Sequence, residues 1–138
     1  MKTLNSYSGS CLCGNIQYEV DAIEPRMAHC HCNMCRKFHG AAFASFGEAK
    51  PENFRWTQGE EDLAEYVGTN NSIRRFCKTC GSSMTFQPSY DNDGLIEFTL
   101  GTLDSPINER PDAHIFTGYK ANWFDIEGHL PQHAEGRQ

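Results

Sequence analysis

The chain has 138 residues, with 12 Lys and Arg against 18 Asp and Glu, for a formal net charge of −6. That length suits one domain, and the acidic balance argues against a general nucleic-acid binder, which carries a basic face. Leu, Ile, Val and Phe make up only 25 residues, about 18%, below the ~20% at which disorder becomes a serious prior. Seven cysteines offset the shortage, because chains with a thin core staple themselves with disulfides or metal.

The N-terminal stretch Met1–Tyr7 has no apolar run that would serve as a leader. The expectation is a cytoplasmic protein with reduced thiols, in which Cys clusters read as metal or redox sites. No stretch approaches the ~18 apolar residues of a membrane span, so no membrane partner is expected. Along the chain the reading is mostly β. Asn15–Val20 alternates with Ile16, Tyr18 and Val20 on one face, and Asn53–Thr57 with Phe54 and Trp56. Ser82–Gln87 sets Met84 and Phe86 together, and Gly94–Gly101 runs through Ile96, Phe98 and Leu100. A period of two marks half-buried strands. Asp91–Gly94 reads as a hairpin-type turn, since Asn, Asp and Gly tolerate positive φ. One helical turn is expected at Arg36–His39, ended by Gly40. With no repeat and no linker, residues 1–138 read as a single domain, and the polar tail 128–138 is expected to fray.

The cysteines carry the chemistry. Cys11 and Cys13 form C-x-C before Gly14; Cys30, Cys32 and Cys35 form C-x-C-x-x-C; Cys77 and Cys80 form C-x-x-C before Gly81. On an extended chain i and i+2 point to one side, so a C-x-C pair presents two sulfurs to one ion. A C-x-x-C pair wraps a turn around an ion, and the following Gly eases the backbone through it. Cys11, Cys13, Cys77 and Cys80 together make a closed tetrahedral set, leaving Cys30, Cys32 and Cys35 as a three-thiolate site with a vacant position. Closed against open coordination separates structural from catalytic zinc.

Other readings stand beside this one. His29, His31 or His39 would complete the three-Cys set as a second structural site, giving an interaction module with two structural zincs. Iron–sulfur ligation lacks the usual C-x₂-C-x₂-C run. A thioredoxin-like role for Cys77 and Cys80 needs a βαβ context. Three disulfides with one thiol left over would need an oxidising compartment.

The runs Gly9–Tyr18, His29–Lys37 and Phe76–Ser82, with Gly101–Asp104, Pro111, His114–Phe116, Lys120 and Trp123, resemble the glutathione-dependent formaldehyde-activating enzyme family, also named for centromere protein V. The resemblance covers roughly residues 7–126, and all seven cysteines match in order. It implies a mainly β, zinc-bearing domain of the β-tent type with short helical turns and two Zn²⁺ per chain. The structural zinc would lie on Cys11, Cys13, Cys77 and Cys80, and the catalytic zinc on Cys30, Cys32 and Cys35. The implied activity is carbon–sulfur lyase chemistry, the reversible joining of a small thiol such as glutathione to a small aldehyde such as formaldehyde.

Three thiolates make zinc a poor Lewis acid toward water but suit it to a fourth sulfur. The expected mechanism holds the substrate thiol at the open position as its nucleophilic thiolate. His31 or His39 would supply the proton that the adduct oxygen needs. Arg36 and Lys37, directly after Cys35, would neutralise a substrate carboxylate. At most one of Arg74 and Arg75 is expected to face the site, because strand neighbours point opposite ways. The alternative function is a thiol carrier that binds without turnover. A structural zinc would be needed for folding, since such sites contribute about 10–16 kcal/mol in small zinc peptides.

Overall fold

The computed structural model describes residues 6–137; the leader reading of residues 1–5 and the last residue of the tail lie outside them. Ten strands, one α-helix and four short 3₁₀ turns make up the described residues. The fold is mainly β. No helix among these residues is long and apolar enough to cross a membrane.

The smaller sheet joins β1 (Tyr7–Ser10), β2 (Gln17–Val20) and β5 (Phe54–Gln58) in antiparallel order. Its inner face is the expected one: Ile16, Tyr18 and Val20 are buried, and Tyr18 stacks on Phe54 with ring centroids 5.1 Å apart. Gly9 lies opposite Tyr18 in the register, and a Cβ there would run into the Tyr18 ring. The absence of a side chain at residue 9 is what lets that ring lie flat over β1 and hydrogen-bond Thr102 Oγ1 at 2.7 Å.

The larger sheet has seven strands. Its order is β10 (Ala113–Ile115), β3 (Ala28–Cys30), β4 (Ala44–Ala49), β9 (Ile96–Thr99), β8 (Ser83–Gln87), β7 (Ile73–Cys77) and β6 (Leu63–Val67). Only β10–β3 is parallel. The turn before β9 falls at the expected place, with Asp93 at φ 64° and Gly94 at φ 75°.

Two sequence expectations change. Met84 and Phe86 do not share a surface. Arg75 pairs with Thr85 and Phe76 with Ser83, so the register skips Met84. A bulge of this kind re-aims a side chain; Met84 drops into the core with Tyr18 and Phe98, while Phe86 packs on the cluster around Cys30 and Cys35. The tail also does not fray over its described part. β10 is an edge strand with open backbone groups, and the tail satisfies them. His114 donates its N–H to Pro131 O at 2.9 Å, Phe116 to Glu135 O at 2.9 Å, and His133 donates back to His114 O at 2.9 Å. Arg137 then reaches Met27 O and Asp112 Oδ1, both at 2.8 Å.

Candidate metal centres and active site

The first cluster is built from two turns. Gly14 N–H donates to Cys11 O at 3.0 Å and Gly81 N–H to Cys77 O at 2.8 Å, with φ of 83° and 82° at the two glycines. Both positions sit in the left-handed region that glycine enters without steric cost. These turns aim backbone N–H groups at sulfur: Ile16 N–H at Cys11 Sγ (3.3 Å), and Thr79 and Cys80 N–H at Cys77 Sγ (both 3.4 Å). The sulfurs of Cys11, Cys13, Cys77 and Cys80 all lie within 4.8 Å of one another. Donors aimed at sulfur favour thiolates. Cys80, hydrogen-bonded to Ser82 Oγ, is accordingly drawn down to about 5. The cluster joins the β1–β2 turn of one sheet to the β7–β8 turn of the other.

The second cluster lies where β3 runs into α1 (Asn33–His39). The helix begins three residues before the expected turn, because Cys32 caps it: its Sγ accepts the Cys35 N–H at 3.2 Å. It ends as expected at Gly40, φ 60°. The sulfurs of Cys30, Cys32 and Cys35 lie within 4.8 Å of one another. Hydrogen bonds from Cys30 and Cys35 draw Cys32 down to about 2, while its bonds to Cys32 and Cys35 push Cys30 up. A bound divalent ion would let all three ionise together.

The larger sheet separates cysteines from histidines. Register and alternation put Cys30, Phe46, Glu48, Glu97, Phe86 and Arg74 on one face, and His29, His114, Gly47 and Phe98 on the other. His31 follows its histidine neighbours. It is fully buried, with Nε2 2.8 Å from His114 Nδ1, and burial followed by the field of His114 pushes it down to about 4. Its Nε2 is engaged with His114, and neither of its ring nitrogens falls within the sulfur cluster. His29 Nδ1 is taken by Ser45 Oγ at 2.7 Å. No histidine nitrogen among the described residues joins either sulfur cluster at the 4.8 Å spacing, so the closed Cys₃His alternative has no ligand in place.

His39 stands on the cysteine face. Its ring packs edge-on to Phe46, it feels the field of Cys32, and its buried Nε2 has no hydrogen-bond partner. Burial, then the Arg74 charge, pushes it down to about 4. Arg36 donates to Asn33 Oδ1 at 2.6 Å along α1, and Lys37 is exposed; neither lines the cavity beside Cys30.

Arg74 is the residue that spacing pointed to without deciding. It is 4% exposed, its guanidinium lies 4.6 Å from the Phe86 centroid and 5.4 Å from that of Phe38, and Nη2 stands 3.7 Å from Cys35 Sγ. Arg75 faces outward to Glu65 and Gln87, as strand alternation requires. A buried cation beside the cluster would balance the one net negative charge that three thiolates leave around a divalent ion.

Fold and site together define a mainly β protein with one four-sulfur and one three-sulfur cluster, each able to hold a metal ion. Residues 6–119 match the family described as glutathione-dependent formaldehyde-activating enzyme, and the chain belongs to that family. Among its relatives is an uncharacterized lyase of Schizosaccharomyces pombe, 28% identical over 131 residues, covering 88% of this chain and 92% of the relative. A crystal structure of a Rhodobacter sphaeroides protein is similar at a TM-score of 0.61 and 26% identity, over 73% of this chain and 91% of that one.

Proposed function

We propose that the protein is a carbon–sulfur lyase that joins a small thiol to formaldehyde, and reverses the joining, at the Cys30–Cys32–Cys35 centre. The observation that carries this reading is the contrast between the clusters: four sulfurs converge in one and three in the other, and among the described residues no histidine completes the three. Family membership and the lyase-named relative support it. The soft donor set fits zinc at both centres, structural on Cys11, Cys13, Cys77 and Cys80 and catalytic on Cys30, Cys32 and Cys35. Zinc on the three-Cys centre would supply a fourth position that holds the substrate thiol in its thiolate form.

In the forward direction the substrate sulfur attacks the aldehyde carbon and a C–S bond forms. The C=O π pair moves to oxygen, which takes up the proton the thiol gave away. Arg74 holds a fixed positive charge beside the sulfurs. Neutral His39, with Nε2 free and on the cysteine face, accepts the thiol proton and returns it to the adduct oxygen. His31 positions the chain between Cys30 and Cys32 through its bond to His114.

The test is exchange between glutathione, formaldehyde and their S-hydroxymethyl adduct, followed by NMR with zinc-loaded protein. Exchange above the spontaneous rate is expected, and its loss in Cys32→Ser with the fold retained. Saturable glutathione binding with exchange no faster than the spontaneous rate would overturn the enzyme in favour of a thiol carrier.

A further inference from the structure

The two sheets differ in width. The smaller has three strands and the larger seven, and the smaller stops at β5. β2 pairs with one side of β5, and no strand pairs with the other. Beside β5 lies a trough of about 760 Å³. Phe54 and Trp56 of β5 line it, and across from them Leu63, Glu65, Arg75 and Thr85 of the larger sheet. Arg75 pairs with Thr85 and Thr85 with Phe98. Alternation therefore puts this wall on the face of the larger sheet that looks away from Cys30.

Three observations bear on what the trough takes. An edge strand presents unpaired N–H and C=O groups, onto which an extended peptide can add, and β5 keeps such an edge beside the trough. Thr85 is 5% exposed, yet its Oγ1 has no hydrogen-bond partner. An unpaired buried hydroxyl costs free energy, and Thr85 stands in the trough wall, where a ligand's donor can answer it. The charges are also one-sided. Arg75 is the one cation in the lining, and Glu65 and Gln87 already hold its guanidinium. Glu60, in the turn that leaves β5, and Asp91, in the loop before β9, have no ion-pair partner among the described residues. Aromatic faces beside carboxylates suit ammonium and guanidinium groups.

We propose that the trough binds an extended, lysine- or arginine-bearing segment of a partner protein, added as a fourth strand on β5. Its backbone pairs with the open edge, and its alternate side chains enter the trough. A cationic side chain there meets Trp56, the carboxylates of Glu60 and Asp91, and Thr85 Oγ1. A second copy of this chain fits less well, because a net charge of −6 sets like against like. The site lies away from the sulfurs of the three-Cys centre and does not rest on the reading of that centre.

The test uses metal-loaded protein and a capped peptide of alternating valine and lysine with three lysines. The peptide is expected to bind saturably and to shift the backbone amides of Arg55 and Thr57 in NMR spectra. It should also change the Trp56 fluorescence in a Trp123→Phe background. Methylating every backbone nitrogen of the peptide keeps its charges and removes its strand donors, and binding should be lost. Glu60→Gln combined with Asp91→Asn should weaken binding about fivefold, as loss of two exposed ion pairs does. Thr85→Val should also weaken it, while melting no lower than wild type, since it removes an unpaired hydroxyl. Unmoved β5 amides, or equal affinity for the valine–glutamate peptide, would overturn the assignment. Spermidine or the methylated peptide binding as tightly would replace strand addition with loose attraction of a polycation. Peptide-free dimers in sedimentation whose dissociation moves the same amides would give the edge to a second copy instead.

Discussion

Arg74 shows how much one side chain carries. A guanidinium buried between two aromatic faces is costly unless its charge is answered, and the groups that answer it are the sulfurs of the three-Cys centre. Arg74→Met keeps the packing volume and removes the charge. Metal affinity at that centre is expected to fall on the order of 10–100-fold, the range for groups that support a metal's ligands, while the four-Cys centre keeps its ion. Release of one metal equivalent to a chromogenic chelator, faster in the variant, checks this. Spacing alone allowed one arginine of the pair to face the site; the strand register decides which. His31 is the converse lesson. A histidine between two clustered cysteines looks catalytic in a sequence, but the alternation that brings Cys30 and Cys32 together sends residue 31 the other way.

At the scale of elements, β4 and β9 show what a hydrophobic pattern hides. β9 was readable through Ile96 and Phe98, and Glu97 between them reads as solvent-facing. β4, with Ala44, Ser45, Gly47 and Ala49, has almost no apolar alternation, so nothing in the sequence announced it as a central strand. Only their pairing sets Glu48 against Glu97. The same limit hid β3, where a cysteine of the three-sulfur cluster stands in for a core residue, and the tail, whose bonds to β10 are backbone ones. The cysteine partition was legible because C-x-C and C-x-x-C spacings are local geometry. The pairing of β4 with β9 has a consequence for pH. Burial, with Glu48 adding and Asn92 opposing, holds the Glu97 carboxyl at about 7, above its ordinary value of about 4.3. The folded state therefore binds this proton more tightly than the unfolded one, and stability falls as pH rises from the ordinary value to about 7, then levels. Facing groups are Glu48, Arg26 and Asn92. Glu97→Gln removes that loss, so its melting temperature relative to wild type should be higher at pH 8 than at pH 4. Thermal melts at the two pH values measure the difference; an equal offset at both would refute it.

For the whole molecule, the two clusters stand at different places in the fold. Cys77 is fully buried in the main core, and its cluster ties the two sheets together. Cys30, Cys32 and Cys35 are local to one strand end and one helix. Cys77→Ser should abolish the cooperative melt at physiological temperature, because a structural metal site would contribute about 10–16 kcal/mol, as much as the roughly 5–15 kcal/mol margin of a whole domain. Cys32→Ser should melt cooperatively with one metal fewer per chain. Metal content by mass spectrometry, beside melting curves, distinguishes the two.

The reach of the four-sulfur clasp also orders events during synthesis. Its partners Cys13 and Cys77 stand 64 residues apart, whereas the other triplet is complete within one short segment. A chain emerging from the ribosome from its N-terminus therefore exposes the triplet first, before the strands that later cover it exist. The distant centre closes only when Cys80 emerges. An ion bound during synthesis would meet the complete triplet first, and an ion holding the two sheets together would follow it.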